Sequence, residues 1–176
     1  MTTDATRLCT ACGMCCDGTI FGFVPTDEED RQRLPAEIFT FETNGEKLGF
    51  FQPCAALQGT LCSVYAERPA TCRKFSCRVL TRMTAGELDF DSAKGLIEQA
   101  RSAANKVIET LKPGEDLRAA RGSWRDLKGD WRENAKFRLL MFALERFLDL
   151  EFRTEHQRVL TLENSRVVKE AGGANP

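Results

Sequence analysis

Cysteine supplies most of the chemistry that this chain offers, and it does so in one segment. All eight cysteines lie within the first 77 residues, as Cys9-x-x-Cys12-x-x-Cys15-Cys16 followed by Cys54, Cys62, Cys72 and Cys77, and residues 78–176 contain none. Thiols at this density are either crosslinked in pairs or gathered around metal. Compartment separates the two. The start, Met1-Thr-Thr-Asp-Ala-Thr-Arg7, has no apolar signal region, and no run approaches the roughly 18 apolar residues of a membrane span. A cytoplasmic location is therefore expected, where thiols stay reduced and structural disulfides are rare. Neighbouring Cys15 and Cys16 also cannot bond to each other without strain. Metal ligation by all eight is the expectation; a disulfide framework and a set of plain core thiols are the alternatives.

The spacing narrows the metal. A Cys-x-x-Cys pair presents two sulfurs to one tetrahedral centre. Extending it to Cys9, Cys12 and Cys15 puts three thiolates around a common point, as in the opening run of bacterial iron–sulfur motifs, where a remote fourth cysteine completes the set. Zinc sites more often recruit two separated Cys-x-x-Cys pairs, and only one such tandem exists here. Cys16 is expected to point away from Cys15 and to serve a second centre. Cys54, Cys62, Cys72 and Cys77, at spacings of eight, ten and five, match no standard single-metal knuckle. An iron–sulfur cluster of the 4Fe-4S type is expected ahead of zinc. Arg68 and Arg73 flank Cys72 and are candidate cofactor-binding residues, because guanidinium groups beside a thiolate-ligated cluster offset its negative charge. Their bland reading is a turn cap for Arg68 and a solvated Arg73.

Other chemistries find little support. His156 is the single histidine, remote from every cysteine, and reads as a surface residue. Nucleophile–histidine constellations are therefore weak, and no glycine loop has the strand–loop–helix context that cradles phosphate. A net charge of −1 and a pI near 6.0 argue against nucleic acid as a partner, and no basic amphipathic helix suggests a membrane surface.

The elements that must position the cysteines look short and irregular up to residue 80. Ile20–Val24 reads as a short strand. Thr26-Asp-Glu-Glu29 reads as a capping box opening a short helix that Leu34-Pro35 stops. Asn44-Gly45 between apolar-rich runs is a hairpin signal with positive φ at both turn residues. Leu61–Tyr65 is a further strand, and Arg68-Pro69 opens a helix with proline at its first position. Beyond residue 80 the pattern turns helical. Leu96, Ala100, Ala103, Val107 and Leu111 form a stripe, with Ile97, Ala104 and Ile108 alongside, ended by Pro113-Gly114. A polar connector with Trp124 leads to a helix starting near Trp131. Its face is Phe137, Leu140, Met141, Leu144 and Leu148, widened by Leu139, Phe142, Ala143 and Leu150. Only a narrow polar edge remains through Arg138, Glu145 and Asp149, so this helix is expected to be central and covered on most sides. The fold class is α+β: a metal-binding module at 1–80, a helical extension sharing its core at 81–168, and a frayed tail at 169–176. A cysteine-rich module of that size buries too little apolar area to fold alone, and metal would supply the missing free energy.

The residues Cys9-Thr-Ala-Cys12-Gly-Met-Cys15-Cys16, Pro53-Cys54, Gly59-Thr-Leu-Cys62-Ser-Val-Tyr65 and Glu67-Arg68-Pro69-Ala-Thr-Cys72-Arg73 together resemble the CxxCxxCC family of zinc- or iron-chelating cysteine-cluster proteins. The likeness spans roughly residues 9–80 and includes all eight family cysteines, by the order and flanks of these motifs. It implies metal chelation. The resulting expectation is one or two iron–sulfur centres in a redox, electron-transfer or enzyme-accessory role. Its rivals are a structural zinc module that binds a protein partner and an enzyme that uses the cluster as its reactive centre.

Overall fold

The computed structural model describes residues 3–124, 132 and 134–160. The fold is α+β. Helix α1 (Asp4–Cys12) is followed by strand β1 (Phe23–Pro25), helix α2 (Glu28–Arg33), strands β2 (Glu42–Asn44), β3 (Lys47–Phe51), β4 (Leu57–Gln58) and β5 (Leu61–Cys62), then helices α3 (Ala70–Lys74), α4 (Arg78–Thr84), α5 (Phe90–Ile108), α6 (Leu117–Ser123) and α7 (Ala135–Glu151). β3 lies between β1 and β2 in an antiparallel sheet, and β4 pairs with β5 in a separate hairpin. No helix among the described residues is long and apolar enough to cross a membrane.

The first surprise is α1. The segment carrying Cys9 and Cys12 is a helix capped by Thr3, whose side chain accepts the Thr6 amide, and closed by Gly13 at φ +63°. A Cβ on Gly13 would meet the Thr60 backbone at 3.1 Å as well as the left-handed backbone, so both space and conformation select glycine there. Cys9-x-x-Cys12 therefore shares a face by the i, i+3 geometry of a helix.

Several boundaries move by a residue or more. The cap of α2 is Asp27, which accepts the Asp30 amide at 2.8 Å, in place of Thr26. An acidic side chain one residue on competes successfully for the same helix end. The first strand begins at Phe23 rather than Ile20, because Ile20 is drawn into the core beside the cysteines. The hairpin exists, with Asn44 opposite Lys47. Its turn is Gly45-Glu46, and only Gly45 has positive φ, at +61°, as in turns that place glycine first. Gly49 on β3 is required by proximity, since a Cβ there would lie 2.1 Å from the Val24 carbonyl oxygen. The strand at Leu61 ends at Cys62, and Pro69 is the cap of α3 rather than its first residue.

Two cores result. The smaller gathers Val24, Leu34, Phe39, Phe50 and Ala56, with Phe39 and Phe50 edge-to-face at 5.0 Å between ring centroids. The larger joins Leu8, Met14, Ile20 and Val79 to residues of α5, α6 and α7. α5 begins at an Asp89 cap, six positions before the expected stripe, and turns Ala93, Ile97, Ala100, Ala104 and Val107 inward. The polar connector contains α6, which buries Leu117 and Ala120.

The widest departure is α7. Met141, Leu144 and Leu148 are buried as expected, but Glu145 and Asp149 of the expected polar edge are buried beside them, at 0% and 1% exposed, whereas Leu139 and Phe142 are 68% and 51% exposed. The helix is not wrapped on most sides. Arg153, also buried, supplies the reason. Its guanidinium donates to Glu145 at 2.6 Å, to Asp149 at 2.9 Å and to the Ile20 carbonyl at 2.6 and 3.0 Å. Arg121 from α6 donates to Glu145 at 2.8 Å and to the carbonyls of Gly18 and Thr19. The expected helix start at Trp131 and the tail at 169–176 lie outside the described residues. Replacing Arg153 by leucine leaves two carboxylates buried with too few donors, so unfolding free energy should fall by about 3–5 kcal/mol. Denaturant titration checks this; a loss below about 1 kcal/mol would mean that the network does not anchor the fold.

Candidate metal centre

All eight cysteines are free thiols, with Cys9 exposed and the other seven partly buried. Cys9 and Cys12 come from α1, while Cys15 and Cys16 follow the Gly13 reversal and stand 3.6 Å apart, sulfur to sulfur, so Cys16 does not point away from Cys15 as its adjacency suggested. Cys54 precedes the β4–β5 hairpin, Cys62 ends β5 opposite Leu57, and Cys72 lies in α3. Cys77 caps α4, its sulfur accepting the Leu80 amide at 3.4 Å. Residues far apart in sequence are thus brought to two cores, Cys12, Cys15 and Cys77 packing on the larger and Cys54, Cys62 and Cys72 on the smaller.

The main chain of this region is held so that few carbonyls are left over. The Cys12 and Ala11 carbonyls accept from Arg101, the latter at 3.4 Å. Cys15 O accepts from the Gln52 amide side chain at 3.2 Å, and Cys16 O from the Cys54 amide at 2.8 Å. Gln52 also lines a cleft of about 340 Å³ with Asp17, Arg101, Leu117 and Arg118.

The electrostatics disfavour thiolate in the metal-free protein. Burial pushes the Cys9 thiol up to about 11, and Cys12 and Cys72 up to about 12. Cys54 and Cys77 are raised for the same reason. Cys15 is raised most, first by its hydrogen bond with Cys16 and then by burial. Arg68 opposes this at Cys9 and Cys72, and Arg101 at Cys12. Arg68 stacks on the Tyr65 ring at 3.8 Å and donates to the Tyr65 carbonyl at 3.3 Å. Arg73 is exposed and donates to the Arg68 carbonyl at 2.7 Å. Arg101 escaped the sequence reading because nothing in α5 marks one cation among its polar positions. His156 is exposed on a short 3-10 turn (Glu155–Gln157).

The donor set is soft sulfur throughout, which suits zinc and iron–sulfur chemistry and excludes a calcium- or magnesium-type site. A bound cation would invert the thiol electrostatics just described, so these residues fit such a group. Among the described residues, no set of three or more Cys, His, Asp or Glu side chains has the arrangement that holds one ion.

A pH signature follows. Between the ordinary value of 9.0 and about 12, Cys12 ionises in the unfolded chain and stays neutral when folded. Stability contributed by such a group is complete below pH 9 and is lost as pH rises through that window. The melting temperature of metal-free protein should be level from about pH 6 to 8 and fall above about 9; a level profile up to pH 11 would contradict the burial of these thiols.

No curated protein and no solved structure matches the chain. A family model does: the one described as CxxCxxCC, "Putative zinc- or iron-chelating domain", matches residues 8–95. That span covers the eight cysteines, the second half of α1, the two hairpins and helices α2 to α4, and the chain belongs to the CxxCxxCC family of zinc- or iron-chelating domains.

Proposed function

We propose that the cysteines hold an iron–sulfur centre, of the 4Fe-4S type, and that the protein serves in electron transfer or as an accessory to a redox enzyme. One observation carries this reading: Cys12 of α1, Cys15 and the α4 cap Cys77 lie against one core, and the Cys15 sulfur stands 3.6 Å from that of Cys16. A cubane needs several convergent thiolates around a core larger than one ion. A lone zinc instead draws four sulfurs onto bonds of about 2.3 Å. Family membership supports chelation of zinc or iron; the cluster is our finer step. Cys9, Cys12, Cys15 and Cys77 are the ligands we assign first; α1 packs on α4, and Cys12, Cys15 and Cys77 lie against the larger core, which supports the assignment. Cys16, Cys54, Cys62 and Cys72 remain in the ligand set. When bound, the cluster would supply one-electron chemistry. The chain's own part is to hold the thiols, exclude water from most of them, and place Arg68 and Arg101 where they offset negative charge.

A second reading has a specific feature behind it. The cleft lined by Asp17, Gln52 and Arg101 adjoins the Cys15–Cys16 turn through the Gln52 amide, and an enzyme using the cluster as its reactive centre would need such a cleft.

The test is direct. Protein purified without oxygen should be brown and should bleach in air. Cys12→Ser should abolish iron binding and lower the melting temperature of the loaded protein, since ligation and folding are linked. Colourless protein with stoichiometric zinc, unchanged by anaerobic reconstitution with iron and sulfide, would replace this reading by the structural zinc module.

A further inference from the structure

The cleft beside the cysteine turn encloses about 340 Å³ between the segment from Asp17 to Thr19, the approach to β4, α5 and the start of α6. That is the lower end of the range for small-molecule sites. Two of its lining side chains are half spent. Gln52 is 2% exposed; its Nε2 donates to the Cys15 carbonyl at 3.2 Å, and its Oε1 is buried with no hydrogen-bond partner among the described residues. Arg101 donates through one terminal nitrogen to the Ala11 and Cys12 carbonyls, and its buried Nε has no such partner either. A buried acceptor and a buried donor left over in the lining of one cleft ask for a group of each kind.

The charges of the lining are unspent in the same way. Asp17, Glu115 and Asp116 each give one oxygen to a backbone amide, those of Thr19 at 2.7 Å, Lys112 at 3.0 Å and Ala119 at 2.9 Å. Arg118 lies over the Phe51 ring, 3.6 Å from its centroid. Among the described residues these three carboxylates and the guanidiniums of Arg101 and Arg118 enter no salt bridge. A simple anion would suit the arginines and be repelled by three carboxylates; a simple cation would meet the reverse. A molecule with an ammonium and a carboxylate answers both. Buried Leu117 and Ile108, which is 45% exposed, add an apolar wall.

We propose that this cleft binds a small zwitterion, an α-amino acid with an apolar side chain. Its carboxylate pairs with Arg101 and Arg118, its ammonium donates to Gln52 Oε1 and the lining carboxylates, and its side chain lies on the Leu117–Ile108 wall. Binding does not rest on what metal the thiols hold. Gln52 and Arg101 nonetheless fasten the Cys15 and Cys12 carbonyls, so the cleft shares two side chains with the cysteine segment.

Thermal melting of the full-length protein, purified without oxygen, tests this with leucine, isoleucine, valine, methionine and phenylalanine as probes. At least one should raise the melting temperature saturably, because a ligand of the folded state stabilises it by mass action. Isocaproate and isoamylamine keep the side chain of leucine with only one of its two charges, and each should bind at least about tenfold more weakly. Arg118→Gln removes a guanidinium, and Asp116→Asn removes a charge while keeping a good cap on α6; each should weaken binding by about tenfold. No saturable shift with any of the five would overturn the proposal. So would equal binding of isocaproate or isoamylamine, or affinity unchanged in both variants. Iron and zinc content, measured on the same samples, judges the chelation reading separately.

Discussion

The buried Arg153–Glu145–Arg121 network is the constraint on which the rest of the arrangement depends. Removing ions from water costs several kcal/mol each, and attraction in the interior offsets this only when the geometry is good and the remaining donors are satisfied. Here they are. Glu145 accepts from two guanidiniums, Arg153 reaches both acids of α7 and the Ile20 carbonyl, and Arg121 takes the Gly18 and Thr19 carbonyls. Burial lowers the Arg121 pKa, with Glu145 acting against it. Apolar side chains could fill the same volume, but they have no direction. Guanidinium forks aimed at three successive carbonyls fix the position of the segment just after Cys15-Cys16 relative to α6 and α7.

That fixing explains how a chain with so little regular structure around its thiols holds them in place. Met14 and Ile20, on either side of Cys15 to Thr19, are core residues. Between them the carbonyls of Cys15, Cys16, Gly18, Thr19 and Ile20 are each taken by Gln52, Cys54, Arg121 or Arg153. The backbone of the motif is thus fastened by its polar groups and its two apolar side chains. The sulfurs are what remains, all free thiols, with hydrogen bonds between Cys15 and Cys16 and from the Leu80 amide to Cys77. Helical residues that contain no cysteine therefore act on the site through the main chain.

The cysteine inventory and much of the hairpin region were legible in the residues alone, because thiol spacing and glycine turns are local signals. The α+β class followed from the same contrast between an irregular first half and a periodic second. What escaped was non-local. α1 carries only Leu8 as a buried residue, too little apolar periodicity to announce a helix, yet Thr3 and Gly13 cap it at both ends. The apolar face of α7 is where its residues announce it, with Met141, Leu144 and Leu148 in the core, but its polar edge was misread because polarity was taken to mean solvent. Glu145 and Asp149 are buried by partners at Arg121 and Arg153, and no window along the sequence reveals such pairing. Asp27 displaced Thr26 as a cap through a choice between neighbours that differ by a few tenths of a kcal/mol or about 1.

The charge balance of the site gives the arginines their meaning. In the metal-free chain, burial and mutual repulsion among sulfurs outweigh Arg68 and Arg101, and the thiols with resolved shifts are neutral near pH 7. A metal centre reverses the order of these effects. Its cationic charge makes thiolates the stable form, but four thiolates exceed the charge of a divalent ion or an oxidised cubane, so the loaded site is net negative. The same guanidiniums that are too weak to ionise the free thiols then lie beside an anion, partly shielded from water. Arg101 is anchored on the Cys12 carbonyl and Arg68 on Tyr65, so neither must be recruited when the site fills. An arrangement of this kind penalises the empty site with protonated sulfur and compensates the loaded one with charge already in place, so that metal occupancy, and not the apolar cores alone, becomes part of what holds the cysteine segment in this conformation.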